Sequence, residues 1–295
     1  MTPAPKYIDP LSDLGLKLLF SPEDKPEHLR DLLNAVLPPD RRIVRLRPLE
    51  TEKIATTVEN RTVIYDLSCE DQHGRKFIIE IQRRLQLQLR DRLVLYGSRQ
   101  ISRSMARGES GFGYPDVIVV AILDYAEPGV TDAVYHAGLY REDSRELCSS
   151  KLAFTVVNLG NFHKAVGELE SPADDWMYLL KNLPTMTETP ARLQTKAFDR
   201  FISDAEYAKL SDREKDQYDR FWEEATTKML ELQGAEYIGT QKGIEQGIEQ
   251  EKRRAAELVV RRGRAMGLTL EQMADLADVS VERVRDIIAA HDDEG

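Results

Sequence analysis

The chain has 295 residues, 41% of them apolar and 31% charged, the profile of a soluble globular protein with room for one large domain plus an appendage, or for two domains. Two cysteines (Cys69, Cys148) exclude a disulfide framework, the longest apolar run (Val117 to Leu123) is far too short to span a bilayer, and Met1 to Lys6 lack a signal peptide's apolar stretch, so a cytoplasmic protein without membrane contact is expected. A net charge of −10, taken as a total, argues against nucleic acid as a partner.

Residues 11–37 read as helix. Leu16, Leu19 and Phe20, then Leu29, Leu32, Leu33 and Val36, recur at helical spacing, with an interruption near Pro26 and a stop at Pro38-Pro39. Residues 42–58 read as a first strand or a loop that feeds a strand over 61–69. In the next stretch Phe77, Ile79 and Ile81 alternate with Ile78, Glu80 and Gln82, which is strand periodicity, so Glu80 and Gln82 share a face. Gln72-His73-Gly74 supplies the turn, with Gly74 free to take positive φ. A turn centred near Gln72–His73 makes paired residue numbers sum to about 146, which sets Asp66 opposite Glu80.

A long helix is expected over 89–107, with Val94, Ile101 and Met105 as its inner stripe and Arg92, Arg99 and Arg103 on a different side. From Arg83 to Arg107 there are seven arginines and one acid, Asp91, whereas acids outnumber bases from Glu168 to Glu224. Distribution therefore overrules the total: an acidic body with one basic strip suits a phosphate backbone, although a solvated arginine face has the same composition. Gly108, Gly111 and Gly113 form a loop before Asp116 to Leu123, whose unbroken apolar run suits a strand buried on both faces, hence a sheet covered by helices. Strands near 132–140 and 151–159 complete a mixed sheet. Residues 172–232 read as helical, with Trp176, Phe198, Phe201, Tyr218, Phe221 and Trp222 as core aromatics.

Toward the end Gly239, Gly243 and Gly247 recur every four residues, within Gly243-Ile244-Glu245-Gln246 repeated as Gly247-Ile248-Glu249-Gln250. A flexible linker fits this pattern, and so does a helix whose glycine stripe lets a partner helix approach closely. Residues 267–290 read as two short helices around Asp278-Val279-Ser280, a pattern shared by a helix-turn-helix and a plain helical hairpin.

The chemistry concentrates on the hairpin. Facing carboxylates on neighbouring strands lie roughly 5 Å apart at Cβ, and two such charges repel unless something offsets them. A divalent metal is the natural candidate. Acid on one strand and acid-x-Lys on the next is the site of the PD-(D/E)XK nuclease superfamily, and here the third position is Gln82. With that substitution the chain resembles the Rpn-type recombination-promoting nucleases, often labelled transposases. Asp13-Leu14-Gly15-Leu16-Lys17-Leu18-Leu19-Phe20 is similar to the opening D-x-x-F-K-x-x-F of that branch, with Leu16 for Phe. Arg90-Asp91-Arg92 with Tyr96 resembles its arginine-bearing helix, and Trp176 its later Trp-containing helix.

The resemblance implies an α/β fold of the restriction-endonuclease type, a mixed sheet flanked by helices, with a helical C-terminal extension. It implies a nuclease-like core over 1–165, helices packing on it over 166–233, and a glycine-repeat helix with a terminal helical pair over 234–295. In this reading Asp66 and Glu80, helped by the Ile81 backbone carbonyl, hold Mg²⁺ or Mn²⁺. Gln82 orients the attacking water, and Arg92, Arg99, Arg103 and Lys17 contact DNA. The C-terminal helices would form a homodimer, and a short product starting at Met229 could pair with the full chain. No HExxH or Cys/His spacing surrounds the five histidines, no GxxxxGK[ST] loop exists and no GxSxG elbow appears, which disfavours zinc, NTPase and serine-hydrolase chemistry. Two classes remain: a metal-dependent DNA endonuclease, and a catalytically weak or inactive DNA-binding or interaction protein that keeps the fold.

Overall fold

The computed structural model describes residues 5–49, 66–105 and 113–292. The expected strand start at 61–65, most of the 42–58 segment, Arg107, Gly108 and Gly111 lie outside these residues. The chain divides into two compact units, Met1–Asp219 and Arg220–Gly295.

In the first unit the helical stretch near the N-terminus is two helices, α1 (Asp13–Phe20) and α2 (Pro26–Val36). Ser12 caps α1, its Oγ accepting from the Gly15 N–H at 3.0 Å, and Pro26 sits at the start of α2, where its missing N–H costs nothing. The sheet follows: β1 (Leu46–Pro48), β2 (Leu67–Asp71), β3 (Lys76–Gln82), β4 (Val117–Leu123), β5 (Val134–Tyr140) and β6 (Leu147–Asn158), in the order β1-β2-β3-β4-β6-β5. β3, β4 and β6 are parallel, and β1, β2 and β5 add antiparallel edges. The mixed sheet flanked by helices is thus the one the sequence implies. All seven residues of β4 are buried, as an unalternating run requires.

The β2–β3 hairpin pairs Leu67 with Ile79 and Cys69 with Phe77, the register expected from its turn. Gly74 has φ +77°, open only to a residue without Cβ strain. Asp71 closes the turn: Oδ1 accepts from the N–H groups of His73 and Arg75, each at 2.9 Å, and Oδ2 pairs with Arg75.

Helix α3 (Leu89–Ser104) connects β3 to β4 and buries Leu89, Leu93, Tyr96, Gly97 and Gln100 against the sheet. The expected inner stripe is therefore corrected: Val94 and Met105 are exposed, and Ile101 only partly buried. Two apolar rows one residue apart compete on this helix, and Gly97 decides between them. A Cβ there would meet Leu152 Cδ1 at 2.3 Å, so only the row containing glycine lets the helix lie this close. Helices α4 (Pro172–Asn182) and α5 (Lys196–Asp204) pack on α1 and α2 through Phe20, Trp176, Phe198 and Phe201, with Trp176 and Phe201 ring centroids 5.1 Å apart. These aromatics and Tyr218 are core, as the sequence implies, whereas Phe221 and Trp222, expected beside them, are only partly buried.

Helix α6 (Asp212–Ala265) contains the division between the units and runs unbroken through Gly239, Gly243 and Gly247, so the helical reading of the repeat holds. In the second unit its last turns pack with α7 (Leu270–Ala277) and α8 (Val281–Asp292) around Ala256, Val260, Met273, Ala274, Val284 and Ile287. Asp278, at φ 52°, turns the chain between α7 and α8. Among the described residues no helix is long and apolar enough to cross a membrane.

Candidate active site

Glu80 and Gln82 leave β3 on the same face as Ile78, the face that Leu89, Leu93 and Tyr96 of α3 cover. Asp66 stands one residue before β2, and the Leu67–Ile79 pairing continues to set it across from Glu80. Its Oδ2 accepts from the Ile81 N–H at 2.7 Å, which anchors the carboxylate at the sheet. Gln82 Nε2 donates to Glu80 Oε1 at 2.8 Å. Arg92, near the start of α3, reaches the same oxygen at 2.8 Å through Nη2. That guanidinium is itself held by the Tyr96 hydroxyl at 2.6 Å and by Gln86. The structure thus brings Asp66, Glu80, Gln82 and Arg92 together, and Arg92, which the sequence sets on a different side from the expected inner stripe, closes the site.

The electrostatics of the pair are strained. Burial raises the Glu80 carboxyl to about 8, the nearby Asp66 charge adds to the effect, and Arg92 and Gln82 only partly oppose it. Asp66 is also raised, mainly by burial, against the Ile81 N–H bond that favours its anion. Asp13 and Lys17 of α1, one helical turn apart, lie near enough for their charges to act on Asp66 in opposite directions. Glu80 is 3% exposed, and its Oε2 is buried with no hydrogen-bond partner among the described residues.

An orphaned carboxylate oxygen with a second carboxylate close enough to act on its charge fits a cation. Left alone it would cost several kcal/mol once ionised, whereas a bound cation supplies the missing partner. The donors are hard oxygens, the kind that Mg²⁺ and Mn²⁺ accept. Among the described residues no group of three or more His, Cys, Asp or Glu side chains could hold a metal, so two carboxylates would need a backbone carbonyl and waters beside them. Mg²⁺ keeps several waters in its usual protein sites.

A family model described as PD-(D/E)XK nuclease family transposase matches residues 10–229. The chain belongs to this family. No curated protein and no solved structure matches it. PD-(D/E)XK nucleases generally use divalent metal ions, in keeping with the orphaned oxygen of Glu80. Gln82 is tied to both Glu80 and, at 3.5 Å, Arg92, so a neutral amide and a helix-borne arginine converge on one carboxylate.

The basic strip is less uniform than its composition. Arg83 pairs with Asp9 at 2.9 Å and with Asp124 at 3.6 Å, and Arg90 pairs with Glu127 at 2.7 Å. The acids come from distant parts of the chain, which a local charge count cannot see. Arg92, Arg99 and Arg103 do share one side of α3, at helical intervals of seven and four residues. A cavity of about 530 Å³ on another flank of α3 is lined by Leu93, Val94, Tyr135 and Phe154 with Arg90, and includes none of the site acids. Two contacts to Arg92 go beyond what the sequence suggests. The Arg92–Tyr96 bond has a signal, an i,i+4 pair on a helix; Gln86, from the preceding loop, has none.

Proposed function

We propose that the chain is a metal-dependent DNA endonuclease that hydrolyses phosphodiester bonds, in recombination or in defence against foreign DNA. The observation that carries this reading is the buried, unpartnered Glu80 Oε2 across the hairpin from Asp66. Asp66, Glu80 and the Ile81 carbonyl would hold Mg²⁺ or Mn²⁺. Such an ion, when bound, polarises the phosphodiester and lowers the pKa of a water. The chain's own groups do the rest. The Ile81 N–H keeps the Asp66 carboxylate aimed at Glu80, and the Gln82 amide orients the attacking water and donates to a phosphate oxygen. Arg92, preset by Tyr96 and Gln86, supplies the positive charge that glutamine lacks as charge builds on the phosphate. Plasmid nicking with and without Mg²⁺ tests the proposal directly, and an intact plasmid under every divalent ion tried would sink it.

A second reading, a catalytically weak DNA-binding protein, is favoured by two contacts: Arg92 and Gln82 both occupy Glu80 Oε1, which leaves a cation Oε2 alone on that carboxylate. Gln82→Ala separates the two. On the endonuclease reading it lowers turnover by about 10²-fold or more, the scale of losing one preorganised donor, with little change in DNA affinity. Equal single-turnover rates for Gln82→Ala and wild type would remove Gln82 from the chemistry.

Arg92, Arg99, Arg103 and Lys17 complete the reading as groups that hold phosphates. Replacing Arg99 and Arg103 by Gln should weaken duplex binding and flatten log K against log salt by about 0.9 for each phosphate no longer neutralised, and adding Arg92→Gln should extend the trend. An unchanged slope assigns these arginines to a solvated face. The proposal also includes a cytoplasmic setting and a homodimer through the C-terminal helices. A short C-terminal product beginning at Met229 is a further partner, implied by family resemblance.

A further inference from the structure

Helix α3 packs on β3, β4 and β6, and the edge strand β5 lies at its margin. On that sheet face two cross-strand pairs, Tyr135 with Val156 and Ala137 with Phe154, line the cavity of about 530 Å³ beside the flank of α3 that carries Arg90 and Val94. Tyr135 and Phe154 are only partly buried and Ala137 is exposed, so the small side chain in the edge strand leaves the hollow open. The loop before β5 adds Thr131 and Asp132 to the lining. Such a volume, with apolar walls and a few placed polar groups, is that of a small-molecule site.

The polar groups decide what kind of molecule fits. Arg90 pairs with Glu127 at 2.7 Å, and the Tyr135 hydroxyl donates to the other oxygen of Glu127 at 2.7 Å. Arg90 is the one cation among the described lining residues, and Glu127 already neutralises it. An anionic head group, whether a carboxylate or the phosphate of a free nucleotide, would therefore enter without a cation of its own. Asp132 is an acceptor, and the rings of Tyr135 and Phe154 are stacking surfaces. An uncharged, flat ring that carries an amino group matches both.

We propose that this cavity receives one nucleobase of the DNA strand, turned out of its stack, with amino-bearing cytosine or adenine favoured over thymine. The proposal rests on the nuclease reading and names a part of the substrate that the acid pair does not touch. A second hollow of about 250 Å³, lined by Gln86, Leu87, Leu89, Arg90 and Tyr125, supplies the path. Gln86 is the residue bonded to Arg92 at the acid pair, and Arg90 belongs to both hollows. The path thus runs round the first turn of α3. Arg90 and Arg92 stand about 3 Å apart along the axis, on nearly opposite flanks of a helix roughly 10 Å across. That span equals about three stacked nucleotide steps of 3.4 Å, and fewer once the strand is unstacked. The seated base therefore belongs to a nucleotide near the scissile phosphate. Turning a base out costs least in single-stranded or mismatched DNA, so such strands are the expected substrates.

Photocrosslinking tests the seat without any cleavage. The full-length chain in EDTA is irradiated with a single-stranded oligonucleotide that carries 5-iodocytosine, and adducts are mapped by mass spectrometry. An adduct on Tyr135 or Phe154 is expected, and it should vanish in Ala137→Trp, whose indole fills the cavity from an exposed position. That variant should also bind the strand about 10-fold more weakly, the scale of one lost base stack. Its slope of log K against log salt should not change, because no phosphate contact is lost. Val94→Trp fills the cavity from α3 and should behave alike, which guards against a folding defect in either variant. Adducts confined to residues outside the cavity, or two filled variants that bind as wild type does, overturn the base seat and leave the nuclease reading standing. A chain that neither binds the strand nor nicks plasmid overturns both. Deoxycytidine monophosphate bound as tightly as the strand would make the cavity a site for a free nucleotide and overturn the proposal as well.

Discussion

Asp66→Asn and Glu80→Gln should each abolish metal-dependent DNA cleavage, by at least about 100-fold, since even residues that only support a metal ligand are worth 10–100-fold in affinity or activity. The amide variants are chosen because they separate charge from structure. In Asp66→Asn the side-chain carbonyl oxygen can still accept the Ile81 N–H that Asp66 accepts at 2.7 Å, so the hairpin end is kept while the anionic ligand is removed. Asp66→Ala forfeits both and should in addition lose about 1 kcal/mol of stability, the usual net worth of one hydrogen bond. A plasmid-nicking time course in Mg²⁺, run beside thermal melts of each variant, checks the two effects separately. Undiminished nicking by both amide variants would refute the assignment of the acid pair.

Why so much of this site was legible in sequence is a matter of period. A strand alternates every two residues, so a single turn position fixes which residues face one another, and Gly74 with its positive φ fixes that position. Asp66 and Glu80 could therefore be paired before any coordinates, as could the burial of β4 from its unbroken apolar run. Helices are less forthcoming. Leu93 and Val94 are both apolar, and only the close approach of Gly97 to Leu152 chose the row that faces the sheet. The same rotation carries Arg92 to Glu80. Long-range charge pairing was invisible for a different reason: Asp9, Asp124 and Glu127 neutralise Arg83 and Arg90 from elements that lie far away in sequence. The resemblance to a known family points to the acid pair and sets Tyr96 on the helix of Arg92, but does not give the contacts by which Gln86 and Tyr96 hold the arginine.

Glu80→Gln should make the first unit more stable while it removes activity, and the gain should depend on pH. The Glu80 carboxyl is raised from an ordinary 4.5 to about 8, first by burial and then by Asp66. Between those two values the unfolded chain has released the proton that the folded site retains. The Glu80 contribution to stability is therefore greatest at and below about pH 4.5, falls as pH rises toward 8, and levels off above it. The full shift corresponds to a ceiling of about 5 kcal/mol, and even half of it amounts to roughly 5–10 °C in melting temperature for a unit of this size. Glutamine carries no such penalty, so the variant and wild type should melt together near pH 5 and diverge by pH 8, with the variant higher. Mg²⁺ should narrow the gap from the other side: a ligand at 100 times its dissociation constant adds about 2.7 kcal/mol, and only the wild-type acid pair can claim it. Melts at pH 5 and pH 8, in EDTA and in Mg²⁺, are thus a test that needs no DNA. If Glu80→Gln is no more stable than wild type at pH 8, or if Mg²⁺ raises both melting temperatures equally, the buried carboxylate is not waiting for a cation.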